Sequence, residues 1–375
     1  MASQYLGRRD LHNARAAAKQ LIYSTTVLAL VLMAVSLAAR APLLRLVFGH
    51  IEPDVMGYSQ IYFLLSALSY PFLAVYNGGA ALFRSMGNSK VSMFCSLLMN
   101  LINISGNALC IFVFRWGVVG AGLASLVSRA AGAVIMMVLL RSRDNPIYIE
   151  RLFRFELKFG MIRNILRIGV PNGLENGMFQ VGKVMTQSLV ATFGTVGIAA
   201  NAVAGNLACL ELIPGMAIGL AMITVVGQCV GARDYDQAVG YVKKLMVVTY
   251  AAMGAISLVV FFTARPLVGL YGLQSETADL ACRLVLWHSL FAVTIWPPSF
   301  ALPNGLRAAN DAKFTMLVSI FSMWAFRIGF SYLFAKVLGW GVIGVWAAMF
   351  CDWFFRAVLF VARFVRGKWK NKQYI

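Results

Sequence analysis

The chain has 375 residues, of which 60% are hydrophobic and only 13% are charged, and its formal net charge is +19. A soluble protein of this size has too little interior to hold that much apolar surface. Apolar runs of about 20 residues, long enough to cross a bilayer as helices, recur along the whole sequence. The positive charge does not indicate nucleic-acid binding, because no Lys- or Arg-rich stripe interleaved with aromatics occurs in a soluble segment. We therefore expect an all-α polytopic membrane protein.

In chain order, the apolar runs and the polar breaks between them predict ten transmembrane helices. They span residues 20–38, 60–83, 91–114, 117–140, 164–193, 198–230, 241–263, 281–305, 314–336 and 341–364. Lys and Arg concentrate in alternate loops and in the C-terminal tail, a pattern typical of cytoplasmic segments. We therefore expect a multi-pass protein of the plasma membrane with both termini in the cytoplasm.

The six cysteines and three histidines are scattered without the spacing of a metal site. We expect the cysteines to pack as small apolar residues, and we expect no metal and no resident cofactor. No nucleophile with a nearby base stands out, so an enzyme is not expected.

One stretch, Asn176 to Val184, imitates a phosphate-binding loop. Gly177, Gly182 and Lys183 have the G-x-x-x-x-G-K spacing, but Val184 stands where such a loop has the Ser or Thr that holds Mg²⁺. The stretch also lies inside an apolar run, whereas a phosphate-binding loop joins a strand to a helix. We interpret it as part of a membrane helix and not as an ATPase motif.

The sequence repeats itself at an offset of 223 or 224 residues. The matching pairs are SQYLGRRD (3–10) with GQCVGARD (227–234), RSMGNSK (84–90) with RAANDAK (307–313), and WGVVGAG (116–122) with WGVIGVW (340–346). Both copies keep the same predicted orientation, which indicates a parallel repeat of the kind that builds transporters. We predict an N-terminal lobe of four helices, residues 1–150, and a C-terminal lobe of six helices, residues 151–375.

The two predicted lobes differ by one helix pair. The second copy has two helices before its GQCVGARD segment, whereas the first copy begins at the equivalent SQYLGRRD segment. The repeat therefore predicts an ancestral unit of six helices and a complete protein of twelve. We expect that about two helices of that complete protein precede Met1.

Several segments together resemble the multidrug and toxic compound extrusion (MATE) family of transporters, and the resemblance extends over essentially the whole chain. They are VPNGLENGMFQVGK (170–183), FGTVGIAANAVAGN (193–206), IPGMAIGLAMITVVGQCVGARDYDQAV (213–239), ALFRSMGNSKVSM (81–93) and WGVVGAGLASLVSR (116–129). The resemblance implies two six-helix lobes around a central cavity that opens alternately to each side. It also implies exchange of incoming Na⁺ or H⁺ for an outgoing organic compound, often cationic, without ATP.

This resemblance leaves two other functions open. A flippase for lipid-linked precursors, from the same superfamily, would have extra helices and a cavity lined by several arginines. A transport-incompetent fragment or partner subunit would explain the missing helix pair. For the exporter we expect small organic molecules and the lipid bilayer as partners, no nucleic acid, and a monomer.

A polar seam along residues 164–193 supplies most candidate translocation residues. Its members, spaced by three or four residues and so on one helical face, are Asn172, Asn176, Gln180, Lys183 and Gln187. The amides could line a water-filled cavity or join helices by hydrogen bonds. The acid Glu175 lies at the edge of this seam, and the resemblance implies an essential Glu in this helix in Na⁺-coupled members. We expect Glu175 and Lys183 to take part in transport.

Other polar groups in the predicted spans are secondary candidates. Glu211 is a second acidic candidate, although partial solvation at the outer end of its helix is an equal alternative. Asp352 and Arg356 are four residues apart, so we expect an ion pair, with Asp352 also a translocation candidate. Arg129 and Arg327 need carboxylate partners that the sequence does not identify.

Two departures from the family and three prolines complete the set. Residues 281–305 lack the acid that the resemblance implies for Na⁺-coupled members, and they offer His288 and Ser289 instead. The absent first helix is where H⁺-coupled members carry an Asp, so the coupling ion stays open. Three prolines inside spans are hinge candidates, with a static bend as the alternative for each: Pro171, Pro214 and Pro297.

Overall fold

The computed structural model describes residues 1–48, 52–150 and 157–371. Every regular element in these residues is a helix, which confirms the predicted all-α class. In the N-terminal half the α-helices are α1 (Ala2–Gly7), α2 (Leu11–Ala38), α3 (Arg40–Phe48), α4 (Pro53–Leu68), α5 (Tyr70–Ser85), α6 (Ser89–Ala108) and α7 (Gly117–Leu139). In the C-terminal half they are α8 (Phe159–Ala191), α9 (Gly194–Gly231), α10 (Tyr235–Gly269), α11 (Ser275–Thr294), α12 (Leu302–Ala308), α13 (Ala312–Ser322), α14 (Phe330–Tyr332) and α15 (Gly341–Val365).

The described residues contain seven helices long and apolar enough to cross a membrane, or up to nine if each of two bent pairs is one span. The bent pairs are α4 with α5, at 40°, and α11 with the segment Pro297–Ala308, at 61°. The one predicted span outside this count is the fifth, residues 164–193, which corresponds to α8. This helix is long enough to cross a membrane but carries the polar seam. The helix count therefore agrees broadly with the sequence-based prediction.

The predicted single helix over residues 281–305 is wrong in its continuity. Helix α11 ends at Thr294, a π-helical turn covers Pro297–Ala301, and α12 begins at Leu302. Pro297 and Pro298 have no N–H to donate to the preceding turn, so the α-helical hydrogen bonds stop there. The chain bends at this point and presents α12 at a new angle.

Two other prolines lie inside helices without ending them. Helix α8 runs through Pro171, and α9 runs through Pro214. Both helices keep α-helical hydrogen bonding on either side of the proline. A proline is tolerated inside a membrane helix when neighbouring groups satisfy the carbonyl that it leaves without a donor. Their predicted role as hinges stays a prediction.

Contacts divide the chain into two compact units, Met1–Ile165 and Leu166–Ile375. Within unit 1, α2, α5 and α7 pack around Ile22, Phe83 and Met136. Unit 2 has one core around α9, α10, α11 and α15 and a second where α9, α10 and α12 meet. The division into two lobes, residues 1–150 and 151–375, stays a prediction.

The sequence repeat reappears in the local backbone of the two units. Asp10 caps α2 by accepting the N–H of Asn13, and Asp234 caps α10 by accepting the N–H of Gln237. Just before these caps, Arg9 and Arg233 have φ values of 59° and 63°, a conformation that non-glycine residues rarely adopt. The hydrogen bonds from Asn13 lower the pKa of Asp10 below its usual value.

A π-helical turn recurs at the same offset. It covers Leu109–Val113 in unit 1 and Leu333–Val337 in unit 2. In each unit a glycine of the following helix packs directly on this turn. A Cβ on Gly120 would lie 2.6 Å from Cβ of Cys110, and one on Gly344 would lie 2.7 Å from backbone atoms of Phe334 and Ala335. Glycine is required at both positions because a neighbouring element occupies the space of a side chain.

We expect Gly344→Ala to destabilise unit 2, because the added methyl would collide with backbone atoms that cannot rotate away. Overpacking of this kind costs about 1–3 kcal/mol. The matched control is Gly240→Ala in α10, where nothing lies within 4 Å of a built Cβ. Thermal unfolding in detergent should show a lower transition temperature for Gly344→Ala alone. Equal behaviour of the two variants would contradict the close packing.

Candidate functional site

The polar seam predicted on α8 lies on an exposed face of that helix. Its five members, all exposed, are Asn172, Asn176, Gln180, Lys183 and Gln187. Two of the seam amides are hydrogen bonded: Asn176 Nδ2 donates to the Asn172 carbonyl at 2.8 Å, and Gln187 Oε1 accepts from Asn201 at 3.1 Å. The seam therefore joins helices at its C-terminal end and leaves polar side chains open along the rest of its length.

Gln187 belongs to a short hydrogen-bonded chain that links three helices. Asn201 of α9 donates Nδ2 to Gln187 and accepts Nε1–H of Trp346, from α15, at 2.9 Å. An amide with both its donor and its acceptor satisfied holds its neighbours in one orientation. For Gln187 the structure thus shows the interhelical hydrogen bond that was one of the two alternatives.

Glu175 turns away from the exposed seam and forms a partly buried ion pair. Its Oε1 lies 2.6 Å from Nη2 of Arg307, which comes from α12. Arg307 also donates Nη1 to Asn304 Oδ1 at 2.8 Å. The side chain of Asn304 fits there because Gly219 of α9 leaves room for it: a Cβ at Gly219 would lie 2.5 Å from Nδ2. Helices α8, α9 and α12 therefore converge on this carboxylate.

This pairing limits what Glu175 can do. Its charge is offset by Arg307, so a cation that bound Glu175 would have to displace the guanidinium. The second carboxylate oxygen, Oε2, is buried and has no hydrogen-bond partner in the described part of the chain. An unsatisfied buried oxygen is costly and gives the site one open position for a proton or an ion.

A second buried carboxylate, Glu211 of α9, meets two side chains of α11. Its Oε2 lies 2.5 Å from Nδ1 of His288, and its Oε1 accepts the hydroxyl of Ser289. All three residues are essentially inaccessible, with exposures of 0%, 2% and 3%. The imidazole is also held edge-on by Trp346 and Trp353, at centroid distances of 5.7 and 5.5 Å. Glu211 is therefore fully buried, and the expected alternative of partial solvation is wrong.

The contact between Glu211 and His288 was not predicted from the sequence. The two residues are 77 positions apart and lie on different helices, so no helical spacing relates them. The available signal was the pair His288 and Ser289 standing where the family resemblance implies an acid. A carboxylate next to an imidazole can hold, accept or release a proton without leaving a bare charge in the apolar interior.

The third buried carboxylate is Asp352 of α15. Arg356 donates Nε to its Oδ1 at 2.8 Å, which confirms the predicted ion pair. Ser322 donates its hydroxyl to the same oxygen. Arg327 lies 3.5 Å from the other oxygen, Oδ2, and so supplies the carboxylate contact that the sequence could not identify.

Arg129 in unit 1 differs from these arginines. It donates to the hydroxyl of Ser69, in the bend between α4 and α5. The carboxylate partner expected for it does not appear among the described residues. A hydroxyl can accept a hydrogen bond from an arginine but does not neutralise its charge.

The aromatic ring of Phe179 connects α8 with the Asp352 group. Cζ of Arg327 lies 5.3 Å from its centroid, Cζ of Arg356 lies 5.5 Å away, and Nζ of Lys183 lies 5.2 Å away. Cations over a ring face are stabilised by its quadrupole, more strongly where water is excluded. Lys183 thus lies beside the buried charges of unit 2 as well as on the exposed seam.

The three hinge candidates border this region. Pro171 precedes Glu175 by one turn of α8, Pro214 follows Glu211 by three residues of α9, and Pro297 begins the π-helical turn before α12. Next to Pro214, a Cβ on Gly215 would lie 2.3 Å from the ring of Trp296.

The described residues contain no group of three His, Cys, Asp or Glu side chains able to hold a metal ion.

Unit 2 also contains an apolar cavity of about 800 Å³, a size typical of sites for small organic molecules. It lies between α11, the segment 326–330 and α15, and aromatic side chains form most of its wall. They include Trp287, Phe291, Phe326, Phe350 and Phe354. Such a lining suits an apolar or aromatic molecule.

Comparisons with known proteins agree on one family. A family model described as MatE matches residues 1–109 and 171–333. The uncharacterized transporter YisQ of Bacillus subtilis is 26% identical over 99% of this chain and 81% of its own length. The probable multidrug resistance protein NorM of Thermotoga maritima is 24% identical over 96% of this chain and 78% of its own length.

The fold matches that of a solved transporter structure. A solved structure described as the outward-facing conformation of a multidrug resistance MATE family transporter has a TM-score of 0.90 and 20% identity. The match covers 99% of this chain and 83% of the chain in the solved structure. The family model spans well over half of the chain, and its two matched regions include the α8 seam and the Glu211–His288 contact. The chain therefore belongs to the multidrug and toxic compound extrusion (MATE) family of membrane transporters.

Proposed function

We propose that the chain exports small organic compounds across the plasma membrane, with both termini in the cytoplasm, in exchange for an incoming cation. Membership of the MATE family supports transport, and relatives named as probable multidrug resistance proteins support organic compounds as cargo. The cycle uses no ATP and no resident cofactor, because the ion gradient drives it. The transporter works as a monomer.

The observation that carries the coupling mechanism is the buried contact of Glu211, His288 and Ser289. A bare carboxylate within a bilayer costs several kcal/mol, roughly 2.5–3.5 on insertion scales, unless it has a partner or a proton. Here Glu211 has an imidazole at 2.5 Å that can donate or accept that proton. A proton that enters changes the charge of the pair and with it the packing of α9 against α11.

The coupling ion that this geometry favours is therefore H⁺, with Glu211 and His288 as its carriers. Na⁺ is the second candidate, because the carboxylate oxygens of Glu211 and the hydroxyl of Ser289 are oxygen ligands of the kind that hard cations prefer. Transport driven by an imposed gradient of one ion, with the other balanced, separates the two.

In this proposal the ion pair of Glu175 with Arg307 restrains the position of α12. The pair ties α12, which follows the bend at Pro297, to α8, which carries the seam. A proton or an incoming cation on Glu175 would weaken its hold on the guanidinium and free α12 to move. Binding of the coupling ion and movement of α12 would then depend on the same ion pair.

We expect Glu211→Gln to remove most H⁺-driven export, because an amide cannot take up the proton. In proteoliposomes with an imposed pH gradient, the export rate should fall by about tenfold or more. A tenfold fall corresponds to a rise of about 1.4 kcal/mol in the activation free energy of export. Glu276→Gln, an exposed acid in the first turn of α11, is the matched control and should export normally. Retained H⁺-driven export in Glu211→Gln would exclude Glu211 as the carrier.

We expect Glu175→Gln to abolish export while the protein still reaches the membrane, at the cost of an unpaired Arg307. The double variant Glu175→Gln/Arg307→Gln should recover thermal stability, because neither charge is left alone, but it should not recover export. Glu150→Gln, which breaks the exposed pair of Glu150 with Arg143, is the control. If the double variant exports at the normal rate, the pair is structural and has no role in the transport cycle.

A further inference from the structure

Cations outnumber carboxylates around the ring of Phe179 in the part of unit 2 that the structure describes. Lys183, Arg327 and Arg356 all lie within 5.5 Å of the ring centroid, measured to Nζ or Cζ. The carboxylate in contact with this group is that of Asp352. Three positive charges against one negative charge leave a surplus that is expensive at bilayer depth. The surplus falls on two particular side chains.

Arg327 is the first of these. Arg356 and Ser322 both donate to Oδ1 of Asp352, and Arg327 approaches only Oδ2, at 3.5 Å. At this distance the contact is electrostatic and not a hydrogen bond of normal length. No hydrogen bond donated by Arg327 is found among the described residues, and its Nε is buried without a partner. The side chain as a whole is 12% exposed.

Lys183 is the second. It lies on the exposed seam of α8, and its contact in the structure is the ring of Phe179 one turn earlier. Within the residues that the structure describes, no carboxylate lies within ion-pair distance of its ammonium group. A lysine held over a ring, with its three N–H donors available, is an incomplete anion site.

The backbone brings these two cations to the same aromatic ring. Arg327 lies in the π-helical segment Met323–Gly329, and π-helical turns are frequent at functional sites. This segment touches α8 at Gly182, next to Lys183: a Cβ there would lie 2.2 Å from Cε of Met323. Glycine at position 182 lets α8 approach the distorted turn closely enough for both cations to share the Phe179 ring.

We propose that Lys183 and Arg327 bind the carboxylate of an aromatic compound that the transporter carries, and this inference rests on the proposed export function. The planar guanidinium matches a carboxylate with two parallel hydrogen bonds, and the ammonium adds a third. Phe179, which meets Phe300 edge to face at 6.2 Å, supplies an aromatic surface beside the carboxylate. The cargo is then zwitterionic or anionic, because a purely cationic compound would be repelled by the surplus charge.

The test measures ligand binding to the purified full chain in nanodiscs of phosphatidylcholine, without any ion gradient. The probes are naphthoate and its neutral counterpart naphthamide, which differ in the charged group. We expect naphthoate to bind about tenfold or more tightly than naphthamide, and we expect Lys183→Gln or Arg327→Gln to remove that difference. Arg327→Gln leaves the Asp352–Arg356 pair intact, so the fold should tolerate it.

The matched control is Lys244→Gln in α10. Its ammonium group lies 5.8 Å from the ring of Tyr241, a lysine–ring contact like that of Lys183. This variant should bind naphthoate normally. The charge reversal Lys183→Glu should reject naphthoate and gain affinity for naphthylmethylammonium, a change of specificity that a merely structural role would not produce. Equal binding of naphthoate and naphthamide to the unaltered protein would overturn the proposal.

Two further measurements identify which kind of anionic group the site binds. Naphthyl phosphate that binds more tightly than naphthoate would overturn the choice of a carboxylate. Loss of naphthoate binding in nanodiscs of phosphatidylglycerol would assign the site to a lipid headgroup and would also overturn it. Export is measured separately, in proteoliposomes with a pH gradient. Failure of export with normal naphthoate binding would contradict the proposed function and leave the anion site standing.

Discussion

A carboxylate within a lipid bilayer must find its counter-charge or its proton inside the protein, because neither water nor lipid can solvate it there. Unit 2 meets this constraint three times, with a different partner each time: a guanidinium for Glu175, an imidazole for Glu211, and two arginines with a serine for Asp352. Each of these carboxylates holds its helix against at least one other element that supplies a partner. These pairings add specific polar contacts to the apolar cores that hold the C-terminal helices together.

The three pairings differ in what they permit. A guanidinium stays charged, so the bond of Arg307 to Glu175 changes only if the carboxylate changes. An imidazole can be neutral or charged, so His288 lets the Glu211 pair exist in two states. Asp352 is surrounded by more positive charge than it can balance. In the proposed cycle, Glu211 carries the proton, Glu175 governs the movement of α12, and the surplus cations beside Asp352 bind the cargo.

Sequence reasoning predicted what depends on local spacing. The transmembrane helices, the repeat and the Asp352–Arg356 pair all follow from positions a few residues apart or from a fixed offset. The common face of the five polar residues on α8 was predicted for the same reason, because residues at helical spacing lie on one side. The all-α class needed only the length and composition of the apolar runs.

Sequence reasoning could not predict the partners of Glu175 and Glu211, which lie 132 and 77 residues away. Such pairs depend on which helices touch and on their rotation, and neither is encoded in periodicity. The continuous helix expected over 281–305 failed for a different reason. Pro297 was recognised as a hinge or a static bend, but the size of the bend depends on how neighbouring helices accommodate the freed carbonyls.

The repeat offset shows that the two halves of the chain have diverged in chemistry while keeping their backbone. Arg327, Asp352 and Arg356 correspond, at an offset of 224 residues, to Asn103, Ser128 and Gly132 in unit 1. Gly132 is packed against Met99, so no guanidinium fits there without rearrangement. The repeated scaffold therefore carries these charged residues in one copy and is neutral at the corresponding positions of the other. Two identical copies would carry this group of charges twice or not at all, whereas this chain carries it once, in the C-terminal copy.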